Sequence, residues 1–409
     1  MSTGKSRTAR FRKLRLIIFI LLVGCSLYLF ADYHGPVEIV LRPSNILGFE
    51  GFRAKELIVQ GFDEHENLYA IRGMNIYKLK KGEDRFKKIA HVPTGFSIFW
   101  FRNFSLVRKF TLRPECMEVL VRKSGEIIAM SAGKLWHLPP GSDSFTETLA
   151  LRHYQKGDQG IFDNGITIIN DSTVCFGEYF RNEDREQVDV YVSTDNGRHW
   201  KINYSFKPGE VRHIHSLQKD PFENKMWITT GDVKKEPRIA WTDDNYKTIH
   251  EIGGGSQLWR ATQLVFDQDY LYWGADTYNP KYEGLYRWSR KTGEVEKIAD
   301  VHGVIFHSTM LKDGTIVMTT NREGGPNEKD KQTRMFIIEK DKPVRCLNVG
   351  TWFSHKPGFW FKYAKLRLQR NQGASMLAMS CLSQKEFSNG ELLLIPEEAL
   401  RMGEELVNR

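Results

Sequence analysis

A chain of 409 residues, 41% hydrophobic and 27% charged, can bury a full-sized core, which excludes a disordered or collagen-like polymer. Its net charge of +9 is unevenly placed: Lys5, Arg7, Arg10, Arg12, Lys13 and Arg15 precede the first apolar run with no acid among them. The remainder is only slightly basic, so charge gives no support to nucleic-acid binding.

Residues 16–31 form an uncharged run, LIIFILLVGCSLYLFA, behind that basic block. This pattern predicts a basic cytoplasmic tail over 1–15 and a transmembrane signal anchor over 16–31. The expected topology is single-pass, with the N-terminus cytoplasmic, the membrane as a partner and everything after about residue 33 on the far side. Two alternatives stay open: a lipoprotein anchored through Cys25 in Leu22-Val23-Gly24-Cys25, and a cleaved signal peptide. Cys116, Cys175, Cys346 and Cys381 make no metal-knuckle spacing, and Asn103, Asn170 and Asn203 head acceptor sequons.

Residues 32–55 read as a linker with a closing strand. From 56 to 396 short alternating strands and Gly, Asp or Asn turns recur with almost no helical periodicity, and 397–409 is a C-terminal tail. Four-strand groups begin near Glu56, Met117, Ile166, Arg212, Arg260, Val304 and Phe361. Their period of roughly 45 to 50 residues is that of a propeller blade, so the expected fold is an all-β propeller of seven four-stranded blades behind the membrane helix. Closure is expected from Val37–Leu41 or Leu392–Ile395, which would leave no unpaired edge.

Within the third group, VYVSTDNGRHWKI places an Asp-Asn-Gly turn between two strands. Ser193, Asp195, Gly197 and Trp200 resemble the Asp-box, S-x-D-x-G-x-x-W, of sialidase-like (BNR-repeat) propellers. The resemblance implies a propeller blade with this turn between its third and fourth strands. It does not carry over sialidase activity, because Arg53, Arg72, Arg260 and Arg322 do not reproduce that family's arginine triad. A weaker copy spans Trp241–Ile249, where Asn245 is expected to take the place of Gly197 and the closing Trp is absent.

The second strands of four successive groups read TVCFGEY, KMWITTGD, YLYWGADT and TIVMTTNRE. Each apolar run breaks into small or polar residues and reaches an acid: Glu178, Asp232, Asp276 and Glu323, 54, 44 and 47 residues apart. Acids at one strand end in successive blades converge on one rim, where unequal proton affinities suit acid-base work; the plain alternative is that each terminates its strand. Strand alternation turns His213 and His215 to one face, and His307 occupies the matching strand of blade six. A divalent metal held by His213, His215 and His307 is one reading; proton transfer or ordinary hydrogen bonding are the others.

Asp163, Tyr179, Trp259, Arg260, Arg322 and Glu323 complete an expected substrate site. The arginines would grip a uronate or sialate carboxylate and the aromatics would stack on sugar rings. Trp227 and Trp273 read first as core, and as stacking residues only second. Two functions are therefore expected as rivals. One is a membrane-tethered carbohydrate-active enzyme, glycoside hydrolase or polysaccharide lyase, acting on an anionic polysaccharide or glycoconjugate through His213, His215, Glu178, Asp232, Asp276 and His307. The His-x-His stretch is similar to the His-rich channel of some propeller polysaccharide lyases. The other is a non-catalytic glycan-binding or cell-envelope assembly propeller.

Overall fold

The computed structural model describes residues 4–93, 117–153, 160–233, 235–326, 328–353, 363–370, 372–388 and 390–402. The Asn103 sequon, Cys116 and the Phe361 start of the seventh group lie outside them.

Seven antiparallel sheets make the seven blades of a propeller. Blade one runs outward from Ile58–Phe62 through Leu68–Arg72 and Asn75–Leu79 to Arg85–His91, and Glu38–Val40 pairs with its outer edge. Blades two to six have four strands each; their innermost strands are Met117–Val121, Thr167–Ile168, Ile214–Lys219, Ala261–Phe266 and Val304–Met310. Blade seven joins the two ends of the chain: Lys365–Leu368, Met376–Leu382 and Glu391–Pro396 are followed outward by Phe49–Ala54 and Arg42–Ile46. Closure thus comes from Phe49–Ala54. Leu392–Ile395 lies inside the blade, and Val37–Leu41 serves blade one, because only the segment after the Leu47–Gly48 turn reaches the open edge of Glu391–Pro396.

The core is divided among the blade interfaces. Seven apolar clusters lie one between each neighbouring pair of blades. An example is Trp227, Ile239, Leu264, Phe266, Leu271 and Trp273 between blades four and five. Each fully buried side chain of this kind contributes about 1.5–3 kcal/mol, so blade-to-blade burial holds the ring together. Trp227 and Trp273 are fully buried and belong to this packing.

Two glycines show why the second strands end as they do. A Cβ at Gly177 would lie 2.5 Å from Ile214 Cγ2, and one at Gly274 would lie 2.4 Å from Ile305 Cβ. Glycine there lets the inner strand of the next blade press against the strand end that carries the following acid.

The Asp-box turn forms as its chemistry demands. Ser193 Oγ donates to Asp195 Oδ1 at 2.7 Å, Asp195 Oδ1 accepts the His199 N–H at 2.9 Å, and Trp200 Nε1 donates to the Gly197 carbonyl at 3.1 Å. The second copy differs in register from the sequence expectation. Thr242 Oγ1 donates to Asp244 Oδ1 at 3.0 Å and accepts from the Tyr246 N–H at 3.1 Å, so Tyr246, with φ +67°, stands where Gly197 stands in the first. Asn245 matches Asn196, both at positive φ.

The N-terminal helix Gly4–His34 contains the apolar run, whose side chains are exposed. Among the described residues no helix is long and apolar enough to cross a membrane. Sixteen uncharged residues rise about 24 Å at 1.5 Å each, short of a hydrocarbon core of about 30 Å. The expected transmembrane anchor, the membrane as a partner, the single-pass topology and the membrane-tethered form of the enzyme are corrected accordingly. At the other end, the helix Glu397–Met402 packs through Leu400 against blades six and seven.

Candidate functional site

The ends of the second strands and the starts of the inner strands meet at one rim over blades three to five. His213 lies just before the inner strand of blade four. His215 sits at a bulge, where pairing with the second strand skips from Ile214 to Ser216. Such a bulge re-aims a side chain that plain alternation would place differently. The two Nε2 atoms lie 3.1 Å apart. Asp232 completes the group: its Oδ1 is 3.1 Å from His215 Nε2 and its Oδ2 is 3.2 Å from His213 Nε2.

The outer nitrogens fix the chemistry. His215 Nδ1 is 2.9 Å from the Ala261 carbonyl of blade five, and His213 Nδ1 is 3.3 Å from the Phe180 carbonyl of blade three. A carbonyl only accepts, so these partners assign both protons to Nδ1 and leave both Nε2 lone pairs facing each other and the carboxylate. Burial favours the neutral form of His213. Burial also opposes the charge on Asp232, but an imidazole that takes up a proton at Nε2 donates to the carboxylate, which outweighs burial and holds the carboxyl far below the usual range. Three acceptors around one point, with each imidazole oriented by a carbonyl behind it, form a site able to hold a divalent metal. Two nitrogens and one oxygen suit a transition cation better than calcium or magnesium.

Two arginines flank the group. Arg260 Nη2 lies 3.2 Å from Asp232 Oδ1 and 3.0 Å from Asp276 Oδ2. Arg212 Nη1 lies 3.4 Å from Asp232 Oδ2, and its Nη2 lies 3.0 Å from Glu183. Burial works against the Arg260 charge, while Asp276 and Asp232 more than restore it. Burial pushes the Asp276 carboxyl up to about 6 against the pull of Arg260. The accessible parts include the Asp232, Arg260 and Arg212 side chains, 17%, 20% and 21% exposed. Tyr179 lays its ring over His213 at 4.2 Å between centroids, and Gln257 Nε2 donates to the Asp232 carbonyl at 2.9 Å.

His213, His215, Asp232, Asp276, Arg260 and Tyr179 therefore come together. Glu323 is nearby, accepting from the Tyr278 hydroxyl at 3.2 Å. The other candidates lie elsewhere. The Glu178 carboxylate takes two hydrogen bonds from Arg152, at 3.0 and 2.8 Å. Arg322 is spent on the His302 and Gln332 carbonyls and on Asp330. The Trp259 ring stacks on Trp273 and covers Gly253 between blades four and five.

His307 and Asp163 belong to a second cluster in the central channel. His307 Nε2 is 3.5 Å from Asp163 Oδ2, which also takes Lys365 Nζ at 2.5 Å. Arg367 Nη2 reaches Glu118 Oε1 at 2.6 Å, and Arg370 Nη2 reaches Glu118 Oε2 at 2.5 Å. Sequence reasoning missed these cations, although the alternation of Lys365, Arg367 and Gln369 on one face of an inner strand signals polar groups aimed at the channel. It also missed Arg212 and Gln257, for which no comparable pattern exists.

No protein-family model matches the chain, and no curated protein matches it. Among solved structures, the oligogalacturonate lyase of Vibrio parahaemolyticus superposes with a TM-score of 0.56 at 9% identity, over 88% of this chain and 99% of that one. A GH74 enzyme of Niastella koreensis gives a TM-score of 0.48 at 13% identity, over 87% of this chain and 55% of that one. A GH74 xyloglucanase from Xanthomonas campestris gives 0.46 at 15%, over 66% and 42%. At such identities a likeness speaks for fold alone: the chain is a seven-bladed β-propeller, with no particular propeller family singled out by its Asp-box.

Proposed function

We propose that the opening above Asp232 binds an anionic glycan and cleaves it by elimination beside a uronate carboxylate. The observation that carries this reading is the convergence of His213, His215 and Asp232 as an all-acceptor set beside the part-exposed Arg260. A divalent cation there, when bound, would supply a Lewis acid for the substrate carboxylate and so acidify the proton α to it. Arg260 pairs with the same carboxylate through its fork of donors. Asp276, half ionised near pH 6, is matched to take the α proton. The C–H electron pair becomes the new double bond, the C–O bond to the next sugar breaks, and Tyr179 donates its phenolic proton to the departing oxygen. Solvent then reprotonates Tyr179 and accepts the proton from Asp276.

The likeness in fold to an oligogalacturonate lyase supports this reading by analogy. A two-carboxylate hydrolase fits less well, because Glu178 is committed to Arg152 and Asp232 to the imidazoles. The test is incubation of the purified protein with uronate-containing polysaccharides and manganese or zinc, following the absorbance of the unsaturated product. Product is expected from the parent and not from Asp232→Asn or Arg260→Ala. Glycan binding without product would replace the enzyme with a recognition module, and neither binding nor product would remove the reading.

A further inference from the structure

We propose that a cavity between blades five and six binds a ligand carrying an ammonium group, an amino sugar being the class that fits. The cavity, about 310 Å³, opens between Pro280 and Glu283 on one side and Pro326, Glu328 and Lys329 on the other. That volume is at the lower end of small-molecule sites. Pro280, Val301 and Pro326 give it rigid apolar walls suited to a ring, and Glu283, Asp300 and Glu328 line it together with His302 and Lys329.

Of the three acids, two have partners. Asp300 is paired with Lys297, and Glu328 accepts the backbone N–H groups of Glu323 and Gly324 at 2.9 and 3.1 Å. Glu283 is met on one side alone. It is 5% exposed, its Oε1 is buried with no hydrogen-bond partner among the described residues, and its Oε2 faces His302 Nδ1 across 3.8 Å. A buried carboxylate short of donors is costly, and a ligand ammonium supplies both donors and charge. Burial accordingly pushes the Glu283 carboxyl up, with His302, Lys329 and Arg322 pulling the other way. On the cavity wall the acids Glu283, Asp300 and Glu328 outnumber the one lysine, Lys329, which favours a cationic ligand. A metal ion is a poorer occupant: among the described residues only His213, His215 and Asp232 form a group able to hold one.

The cavity adjoins the site above Asp232. Tyr278 stands between them, two residues after Asp276, with its ring against Gly325 and its hydroxyl on Glu323. Where the elimination reading holds, on which this last step rests, the sugar next to the uronate is a basic one and the glycan alternates acid with amine.

The experiment is calorimetric titration of the full-length, chelator-treated protein with glucosamine, N-acetylglucosamine and glucose. Glucosamine is expected to bind at least 10-fold more tightly than either neutral sugar. Glu283→Gln should remove that preference, and Asp300→Asn, at an exposed position where folding is not at risk, should weaken it 2- to 3-fold. Asp232→Asn should leave it unchanged, so that loss of elimination and loss of amine binding are read separately. Equal binding of N-acetylglucosamine, indifference to both carboxylate variants, or displacement of glucosamine by calcium or zinc would overturn the proposal.

Discussion

The propeller holds two buried clusters built from the same residue types. One, at the rim of blades three to five, has His213, His215, Asp232 and Asp276 with Arg212 and Arg260. The other, in the channel, has His307, Asp163 and Glu118 with Lys365, Arg367 and Arg370. In the channel the cations are already in place. Lys365 and Arg367 sit on Asp163 and Glu118, Arg367 and His307 are fully buried, and burial drives the His307 imidazole down to about 3, so that it stays neutral. At the rim three acceptors face one another, and Asp232 and Arg260 reach the surface. A set that carries its own counter-charges is a clamp. At the rim Arg212 and Arg260 reach the carboxylates from the flanks, while His213 and His215 turn acceptors toward Asp232, and acceptors facing acceptors make a place for something to bind.

Removing a clamp cation should have the largest effect. Arg367→Ala takes one cation each from buried Glu118 and Asp163 and leaves them Arg370 and Lys365, so the expected loss of stability is at the low end for a broken buried pair, about 3 kcal/mol. Urea unfolding would show it, and a midpoint unchanged from the parent would mean that the channel cluster does not join the blades.

At the rim, manganese or zinc should raise the melting temperature, by an amount corresponding to about 2.7 kcal/mol at 100 times its dissociation constant. His215→Ala should abolish the shift, whereas His307→Gln should keep it. An equal loss in both variants would erase the distinction between the clusters.

The pH dependence separates them further. If Asp276 takes the α proton, kcat should rise with pH through about 6, and Asp276→Asn should lower it by at least 100-fold with little change in KM. The stability sign is opposite. A carboxyl raised from 3.8 to about 6 favours its protonated form in the fold, so its contribution is complete below about pH 4 and is lost as pH rises through about 6. A thermal melt series on the parent and Asp276→Asn measures that crossing of trends.

The smallest effect is expected far from both clusters. Asp195→Ala in the Asp-box turn should cost about 1 kcal/mol through its lost bonds to Ser193 and His199, and leave product formation unchanged. A change in product formation would tie the turn to the rim.

The seven blades were legible because one local pattern recurs: four short strands, a turn, and a period near 45 to 50 residues. The recurring acids at second-strand ends also predicted that Asp232 and Asp276 approach one another, since strands in successive blades point the same way. The same pattern misplaced Glu178, because nothing local announces that Arg152 lies opposite it. It grouped His307 with His213 and His215 by strand position, although its neighbours come from blades three and seven. The apolar run of residues 16–31 was legible as a helix, but its length falls short of a span.

By itself, then, the sequence determined an all-β repeat, its turns and the residue types at the rim, because strand alternation and turn chemistry act over a few neighbouring residues. Tertiary structure decided which charge meets which. The metal-ready triad depends on a bulge at His215 and on carbonyls from blades three and five, and the clamp joins Glu118 to Arg367 across 249 positions of chain. Electrostatic partners are selected by distance in space, which ring closure sets only when Phe49–Ala54 seals blade seven.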